Sequence, residues 1–270
     1  MRIALALLVA MSLGMGCQRR GEPTADTSEP APPIAAAAPT AAVPKTAPAK
    51  MPDRTFPAVP VVRAAGSTIA GWGKVFDADG DCIVREHPEG VSIAIPNALH
   101  EINPTRSKPN SPLILQPVDG DFRAIVRVTG EFIPQAPSNS MTSAPFHGAG
   151  LVLYEDENNF LIVARNCWTG ADGNGVCFAP LFELFENGQA TRGNGPFGSV
   201  AAFQGDSTTL YLERKGDTVR GAFSNDGKTW LGWQERTVRM PRAVQVGIAS
   251  VNTAAEPFNV AFDGFKLSKE

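Results

Sequence analysis

Three features are missing from this sequence, and each absence narrows the class of protein. No apolar run reaches the roughly 20 residues that a membrane-spanning helix needs, since residues 3–15 are too few and no later stretch qualifies. The net charge is only −3, which gives no electrostatic argument for a nucleic-acid partner. No stretch shows the periodicity of an amphipathic helix over three turns. We therefore expect a domain built of strands, without a membrane-spanning helix.

Catalytic motifs are missing as well. Hydrolysis of a glycosidic bond needs two suitably spaced carboxylates. The acidic run at 155–157 lies at a predicted turn, and Glu183 and Glu186 are three residues apart, which places them on opposite faces of a strand. No Gly-x-Ser-x-Gly motif is present. The sequence therefore disfavours an enzyme, and a glycoside-active enzyme with a non-standard site is kept as an alternative.

Cysteine is scarce, with four residues in the chain. Their spacing matches no zinc finger or ribbon and the three histidines are scattered, which disfavours zinc. In an oxidising compartment we expect a disulfide between Cys167 and Cys177, because these residues flank a Gly- and Asn-rich loop of a long hairpin. Cys82 then remains as a buried free thiol or as a partner for another chain.

The first residues have the pattern of a bacterial export signal. Arg2 supplies a positive charge, an apolar stretch follows, and small residues precede Cys17. The run Leu13-Gly14-Met15-Gly16-Cys17 resembles the lipobox of bacterial lipoproteins, although Gly14 stands where that motif usually carries Leu. The resemblance implies a lipoprotein signal peptide at 1–16 and acylation of the Cys17 thiol, which anchors the chain. An ordinary cleaved signal followed by Cys is the alternative.

Gln18 follows Cys17, where some lipoproteins carry an Asp that acts as a retention signal. By this analogy the protein is an outer-membrane lipoprotein of the cell envelope, facing either the periplasm or the exterior. The location also implies an oxidising environment for the rest of the chain.

A low-complexity segment follows the anchor. Residues 21–60 contain ten Pro and eleven Ala. Proline removes backbone donors, and so little apolar surface cannot offset the entropy of ordering the chain. We therefore predict a disordered linker over 17–65 and one domain over 66–270, a length that all-β sandwiches commonly have.

The domain consists of short stretches in which apolar and polar residues alternate. This period of two is typical of half-buried antiparallel strands, and Asn- or Asp-containing turns with Gly separate several of them. The clearest stretches are 91–95, 122–128, 151–154, 160–165, 209–214, 219–223, 244–249 and 260–267. The pattern predicts an all-β fold of two packed antiparallel sheets, a jelly-roll-like sandwich. A propeller is disfavoured, since no repeat of blade length is present.

Several short sequence segments occur in the same order as in a known family, which they resemble. They are Gly71-Trp72-Gly73, 77–82, 120–122, 147–151 with Tyr154, 157–160, 211–214 with Gly216-Asp217, 224–230 and 262–265. Over roughly residues 70–268 the chain resembles the domain of unknown function 1349 family, whose members are concanavalin A-like lectin/glucanase sandwiches. The resemblance implies the fold, and it implies no established activity.

The acidic run 77–81 has the spacing of the first five positions of an EF-hand loop. Carboxylates at Asp77, Asp79 and Asp81 are therefore candidate ligands for Ca²⁺. The sixth position is Cys82 rather than Gly, and the twelfth is Pro88 rather than Glu, so an EF-hand is excluded. The alternative is a turn closed by an Asp side chain before a strand at 82–84.

Sugar-binding sandwiches combine aromatic platforms with polar groups that bond to hydroxyls. We expect Tyr154 and Arg165 to share one sheet face with Glu183, and Trp168 to be exposed in a Gly-rich loop. Trp230 and Trp233 are expected to pack at a hairpin. The candidate glycan-binding residues are Trp72, His147, Tyr154, Arg165, Trp168 and Glu183.

The leading hypothesis is therefore an envelope-anchored, non-catalytic binding module for a glycan or cell-envelope polysaccharide, which we expect to be a monomer. A protein-interaction or structural module of the envelope is the other alternative.

Overall fold

The computed structural model describes residues 60–141, 143–170, 175–192 and 205–270, without the side chains of 175–180 and 192. The predicted signal peptide at 1–16, the predicted lipidation site Cys17 and most of the predicted linker lie outside the described residues. In the parts that are described, no helix is long and apolar enough to cross a membrane.

The described residues form sixteen strands. In chain order these are β1 Val61–Arg63, β2 Thr68–Ile69, β3 Gly73–Phe76, β4 Ile83–His87, β5 Gly90–Ile95, β6 Leu113–Asp119, β7 Phe122–Gly130, β8 Phe146–Asp156, β9 Asn159–Thr169, β10 Gly175–Glu186, β11 Gln189–Arg192, β12 Ser207–Lys215, β13 Thr218–Ser224, β14 Leu231–Thr237, β15 Ala243–Asn252 and β16 Phe258–Lys269.

These strands make two antiparallel sheets of eight strands each. The first sheet has the order β1-β4-β5-β16-β7-β12-β13-β14, and the second has the order β11-β10-β9-β8-β15-β6-β3-β2. The prediction of an all-β, two-sheet antiparallel sandwich is therefore confirmed.

The main core lies between the sheets and follows from the alternation of the strands. In β7, Phe122, Ala124, Val126 and Val128 are all buried, while the residues between them are partly exposed. They pack with the inward side chains of the second sheet, such as Leu151. Each large apolar side chain buried in this way stabilises the fold by about 1.5–3 kcal/mol.

The outer face of the second sheet is also apolar, which the period-two pattern did not predict. Residues 100–112, here called the covering segment, lie across this face. The segment is held by two backbone hydrogen bonds between His100 and Asn252, and Ile102 packs into the apolar cluster beneath it. Strands β8 and β9 are consequently buried on both faces over most of their length.

The sandwich begins earlier than the sequence indicated. Strand β1 pairs with β4 in register, with Val61 opposite Glu86 and Arg63 opposite Val84. An ion pair between the Arg63 guanidinium and the Glu86 carboxylate adds to the pairing. Residues 61–63, which fall within the predicted 17–65 linker, therefore belong to the first sheet.

Candidate functional site

A pocket of about 440 Å³ opens on the outer face of the second sheet, beside the covering segment. Strands β3, β6, β8 and β9 supply its floor, and the covering segment forms one wall. The lining side chains that are relevant to chemistry are Lys74, Phe76, Asp77, Asn110, Ser111, Tyr154, Glu157 and Phe160.

The floor of the pocket is aromatic because of the register of β8 and β9. Tyr154 and Phe160 are partners across these strands, and their ring centroids lie 6.3 Å apart. On the other side of the pocket, Lys74 Nζ lies 5.4 Å from the centroid of the Phe76 ring. Burial, followed by the nearby Glu157 and Asp156, raises the pKa of Tyr154. Its hydroxyl therefore stays protonated and can donate a hydrogen bond at neutral pH.

The wall of the pocket offers hydroxyl and amide groups. Asn110 is fixed by its own side chain, which donates to Asp79 Oδ2 and to the Leu99 carbonyl, both at 2.7 Å. Ser111 Oγ is buried and makes no hydrogen bond to any described residue. A buried hydroxyl without a partner costs free energy, and a ligand hydroxyl placed here would satisfy it.

Two carboxylates line the pocket, and they differ in hydrogen bonding and exposure. Both oxygens of Asp77 accept backbone N–H groups, from Gly80 and from Cys82, each at 3.1 Å. Glu157 is exposed at the β8–β9 turn. Because both oxygens of Asp77 accept hydrogen bonds within its turn, this lining does not supply the two free carboxyl groups that glycoside hydrolysis needs.

Of the six predicted glycan-binding residues, Tyr154 lines the pocket and the others do not. Glu183 lies on the same face as Tyr154, since it is the partner of Ile162 in the outer cluster. Arg165 lies on the opposite face. It donates to Thr208 Oγ1 at 2.9 Å and so joins β9 to β12 of the first sheet. The expectation that Tyr154, Arg165 and Glu183 share one face is corrected accordingly.

The other three candidates lie away from the pocket. Trp72 stacks on Phe265 at 5.1 Å between ring centroids and packs against the main core. His147 is 3% exposed and stacks on Phe258 at 4.3 Å, and its burial lowers its pKa. Trp168 is half-buried near the end of β9.

The three carboxylates predicted to bind Ca²⁺ do not converge on one point. Asp77 closes the turn before β4, as described above, and Asp79 binds the Asn110 amide. Asp81 Oδ1 instead lies 3.4 Å from His100 Nε2. The structure thus shows the alternative, a turn closed by the Asp77 side chain.

Cys167 is disulfide-bonded, and its register partner across β9 and β10 is Cys177. The side chain of Cys177 lies outside the described residues, so the Cys167–Cys177 pairing stays a prediction. Cys82 is a free thiol.

A second polar and aromatic surface lies on the outer face of the first sheet. Tyr211 packs against Trp230 and Trp233, with ring centroids 5.1 and 5.3 Å apart, and Trp233 is 52% exposed. Arg123 donates to the Tyr211 hydroxyl at 2.9 Å and to Glu213 at 3.1 Å. Burial of Glu213 acts to raise its pKa, but the hydrogen bonds from Arg123 and Tyr211 prevail and lower it. Arg123, Tyr211 and Glu213 thus fulfil one another's hydrogen bonds, and Trp233 is the exposed aromatic ring of this surface.

Sequence reasoning missed most of the pocket lining, namely Lys74, Phe76, Asn110, Ser111, Glu157 and Phe160. Phe76 directly precedes the acidic run in the sequence, and this was the one available signal for it. Ser111 follows an irregular stretch that has no period, and its position depends on where the covering segment packs.

Comparison with solved structures agrees with the fold. A protein of unknown function from Saccharomyces cerevisiae has a TM-score of 0.54 at 13% identity, covering 77% of this chain and 96% of that one. A xylan β-1,4-xylosidase from Bacillus halodurans scores 0.45 at 15% identity, and the matched region covers 66% of this chain and 33% of the xylosidase. The Ca²⁺/Man3GlcNAc-bound exoplasmic/lumenal domain of VIP36 scores 0.41 at 15%, covering 77% and 84%.

These identities define a similarity of fold alone, and the two scores below 0.5 support no argument about function. The sequence matches no protein-family model and no curated protein.

Proposed function

We propose that this domain is a non-catalytic glycan-binding module and that the pocket beside the covering segment holds the sugar. The observation that supports this is the pairing of an aromatic floor with an unsatisfied hydroxyl in one concavity. The pocket volume of about 440 Å³ lies within the roughly 300–1,000 Å³ that is usual for ligand sites.

Each part of the pocket has a role in this proposal. The apolar face of a sugar ring packs on Tyr154 and Phe76, because C–H groups are favourable partners for an aromatic face. Ser111 Oγ and the Tyr154 hydroxyl bond to sugar hydroxyls. Lys74 and Glu157, at the exposed rim, select among substituents by charge.

The same geometry favours binding over hydrolysis. Asp77 has both oxygens occupied by backbone N–H groups, so Glu157 has no second free carboxylate beside it in the described lining. An acid and a base on either side of the scissile bond are what hydrolysis requires.

We also infer that the domain is held at the cell envelope. Acylation of Cys17 would anchor the chain, and the Pro- and Ala-rich linker would hold the sandwich away from the membrane. Forty residues of extended chain span on the order of 100 Å. The support is the sequence pattern at the N-terminus.

Binding is tested with the full chain on a glycan array, followed by calorimetry with the best ligand. We expect Tyr154→Ala to weaken binding at least about tenfold, since it removes both the platform and a hydroxyl. The matched control is Trp233→Ala, which removes an aromatic ring from the outer face of the other sheet. It should leave the affinity unchanged.

Three outcomes would contradict the proposal. Absence of binding to any glycan would leave an envelope protein-interaction module as the better hypothesis, to be sought as a stoichiometric partner in detergent extracts. Loss of binding in Trp233→Ala but not in Tyr154→Ala would move the site to the first sheet. Release of reducing sugar from a bound polysaccharide would instead show an enzyme.

A further inference from the structure

Three chemically different metal-binding side chains meet beside the turn before β4. Asp81, Cys82 and His100 each offer one ligand atom, and these atoms all lie within 4.8 Å of one another. Asp81 Oδ1 is 3.4 Å from His100 Nε2 and 3.8 Å from Cys82 Sγ. Asp81 and Cys82 come from the turn, whereas His100 begins the covering segment.

His100 is oriented in the way that a metal ligand requires. Its side chain is fully buried, and Nδ1 lies 3.4 Å from the Asn110 carbonyl oxygen and 3.8 Å from Cys82 Sγ. With the proton on Nδ1 donated to that carbonyl, Nε2 carries the free lone pair. Nε2 makes no hydrogen bond to any described residue, although it is buried and faces Asp81.

Cys82 is unsuited to act as a nucleophile in this setting. Burial raises the pKa of its thiol, and the charges of Asp77 and Asp81 raise it further. A reactive cysteine needs the opposite, an electropositive site that favours the thiolate. The sulfur instead faces the other two groups, at 3.8 Å from Asp81 Oδ1 and 3.8 Å from His100 Nδ1.

We propose that Asp81, Cys82 and His100 bind one zinc ion. A thiolate, an imidazole and a carboxylate together are a donor set for a borderline-soft transition metal, whereas Ca²⁺ and Mg²⁺ take oxygen ligands. Tetrahedral zinc lies about 2.3 Å from sulfur and about 2.0 Å from nitrogen or oxygen, so its ligand atoms are about 3.3–3.6 Å apart. The two separations from Asp81 Oδ1, 3.4 and 3.8 Å, are close to this range, and all three ligand atoms lie within 4.8 Å of one another. Binding through Nε2 requires the Cys82 side chain to turn, because its sulfur now lies 3.8 Å from Nδ1.

The Asp81 side chain is 41% exposed, so solvent reaches this side of the cluster. The ion would join the turn before β4 to the covering segment, whose Asn110 and Ser111 form the pocket wall. This site does not depend on the proposed glycan binding, and its test uses no glycan.

The test begins with the purified full chain after treatment with a chelator. Zinc is titrated by calorimetry, and cobalt(II) is used as a spectroscopic substitute, because a cobalt–thiolate bond gives a charge-transfer absorption in the near ultraviolet. We expect one ion per chain, a thiolate band with cobalt, and no displacement by excess Ca²⁺. Cys82→Ser and Asp81→Asn should each weaken zinc binding at least about tenfold.

Two matched variants serve as controls. Asp79→Asn changes a carboxylate of the same turn outside the cluster and should leave the zinc affinity within about twofold. Cys17→Ser removes the cysteine of the predicted lipidation site and should do the same. His100→Gln alters a fully buried position, so Cys82→Ser and Asp81→Asn, on the turn, are the decisive variants.

Absence of zinc binding, or absence of the thiolate band, would overturn the proposal. So would zinc binding that survives Cys82→Ser intact, or that is lost in Asp79→Asn and not in Cys82→Ser. Each variant is compared by circular dichroism with the unaltered chain, so that a loss of fold is not counted as a loss of ligand.

Discussion

The side-chain amide of Asn110 donates a hydrogen bond to Asp79 Oδ2 at 2.7 Å and thereby joins the covering segment to the acidic turn before β4. The same side chain donates to the Leu99 carbonyl at 2.7 Å and accepts from the Glu101 N–H at 2.8 Å. One residue thus holds the pocket wall against two neighbouring parts of the chain.

We expect Asn110→Ala to lower the free energy of unfolding by about 1–3 kcal/mol, because three groups lose a partner and two of them are backbone groups. Denaturant unfolding measures this change. Asp79→Ala is the control and should cost less than about 1 kcal/mol, since it removes a single bond at an exposed carboxylate. Equal effects of the two substitutions would contradict the role assigned to Asn110.

The stability of the folded protein should depend on pH because of the buried His147. Burial lowers the pKa of this side chain in the folded protein, while in the unfolded chain it is about 6.5. The unfolded state therefore binds more protons. The contribution of neutral His147 to the free energy of unfolding is full above pH 6.5 and is lost as the pH falls below that value. The loss approaches about 1.4 kcal/mol per pH unit for one proton.

Thermal or denaturant unfolding between pH 7 and pH 5 measures this loss. His147→Phe keeps an aromatic ring against Phe258 and removes the titrating group, so its stability should vary less over that interval. Glu213, whose pKa is lowered from an already acidic value, titrates below the interval. An unchanged pH profile in His147→Phe would show that another group is responsible.

The thiol of Cys82 should react slowly in the metal-free protein. Its pKa is raised by burial and then by Asp77 and Asp81, so the thiolate fraction at pH 8 is small. We expect alkylation by iodoacetamide, followed by mass spectrometry, to be at least about tenfold slower at Cys82 than in the denatured chain. Asp81→Asn should accelerate it. Rapid alkylation of the folded protein would show an activated thiol instead.

Much of the fold follows from local pattern. The alternation in 122–128 places Phe122, Val126 and Val128 inward as the structure has them. The hairpin expected beside Trp230 and Trp233 forms because Asp226 Oδ1 accepts the N–H groups of Lys228 and Thr229, at 2.8 and 2.7 Å. Such features depend on neighbours in sequence, and for that reason they could be predicted.

The site could not be predicted in the same way, because it depends on register and on long-range packing. Tyr154 is opposite Phe160, so the even-numbered residues of β9 share its face and Arg165 does not. A different turn length would have reversed this assignment. Likewise, His100 meets Asp81 only because the covering segment returns to the turn before β4. No local periodicity encodes that return.

Arg165 provides the last test, because its position between the sheets predicts a result opposite to that for Tyr154. Its guanidinium donates to Thr208 Oγ1 at 2.9 Å and to the Gly205 carbonyl at 2.8 Å, and lies 4.9 Å from the centroid of the Phe132 ring. We expect Arg165→Met to lower the free energy of unfolding by about 1–3 kcal/mol, since the buried Thr208 hydroxyl and the Gly205 carbonyl lose their donor while the aliphatic packing is kept.

Glycan affinity in Arg165→Met should stay within about twofold of the unaltered chain, measured at a temperature where the variant is folded. Tyr154→Ala should show the reverse, with a larger loss of affinity than of stability. If Arg165→Met loses glycan binding while its unfolding curve is unchanged, the sugar contacts the edge between the two sheets and the pocket beside the covering segment is not the site.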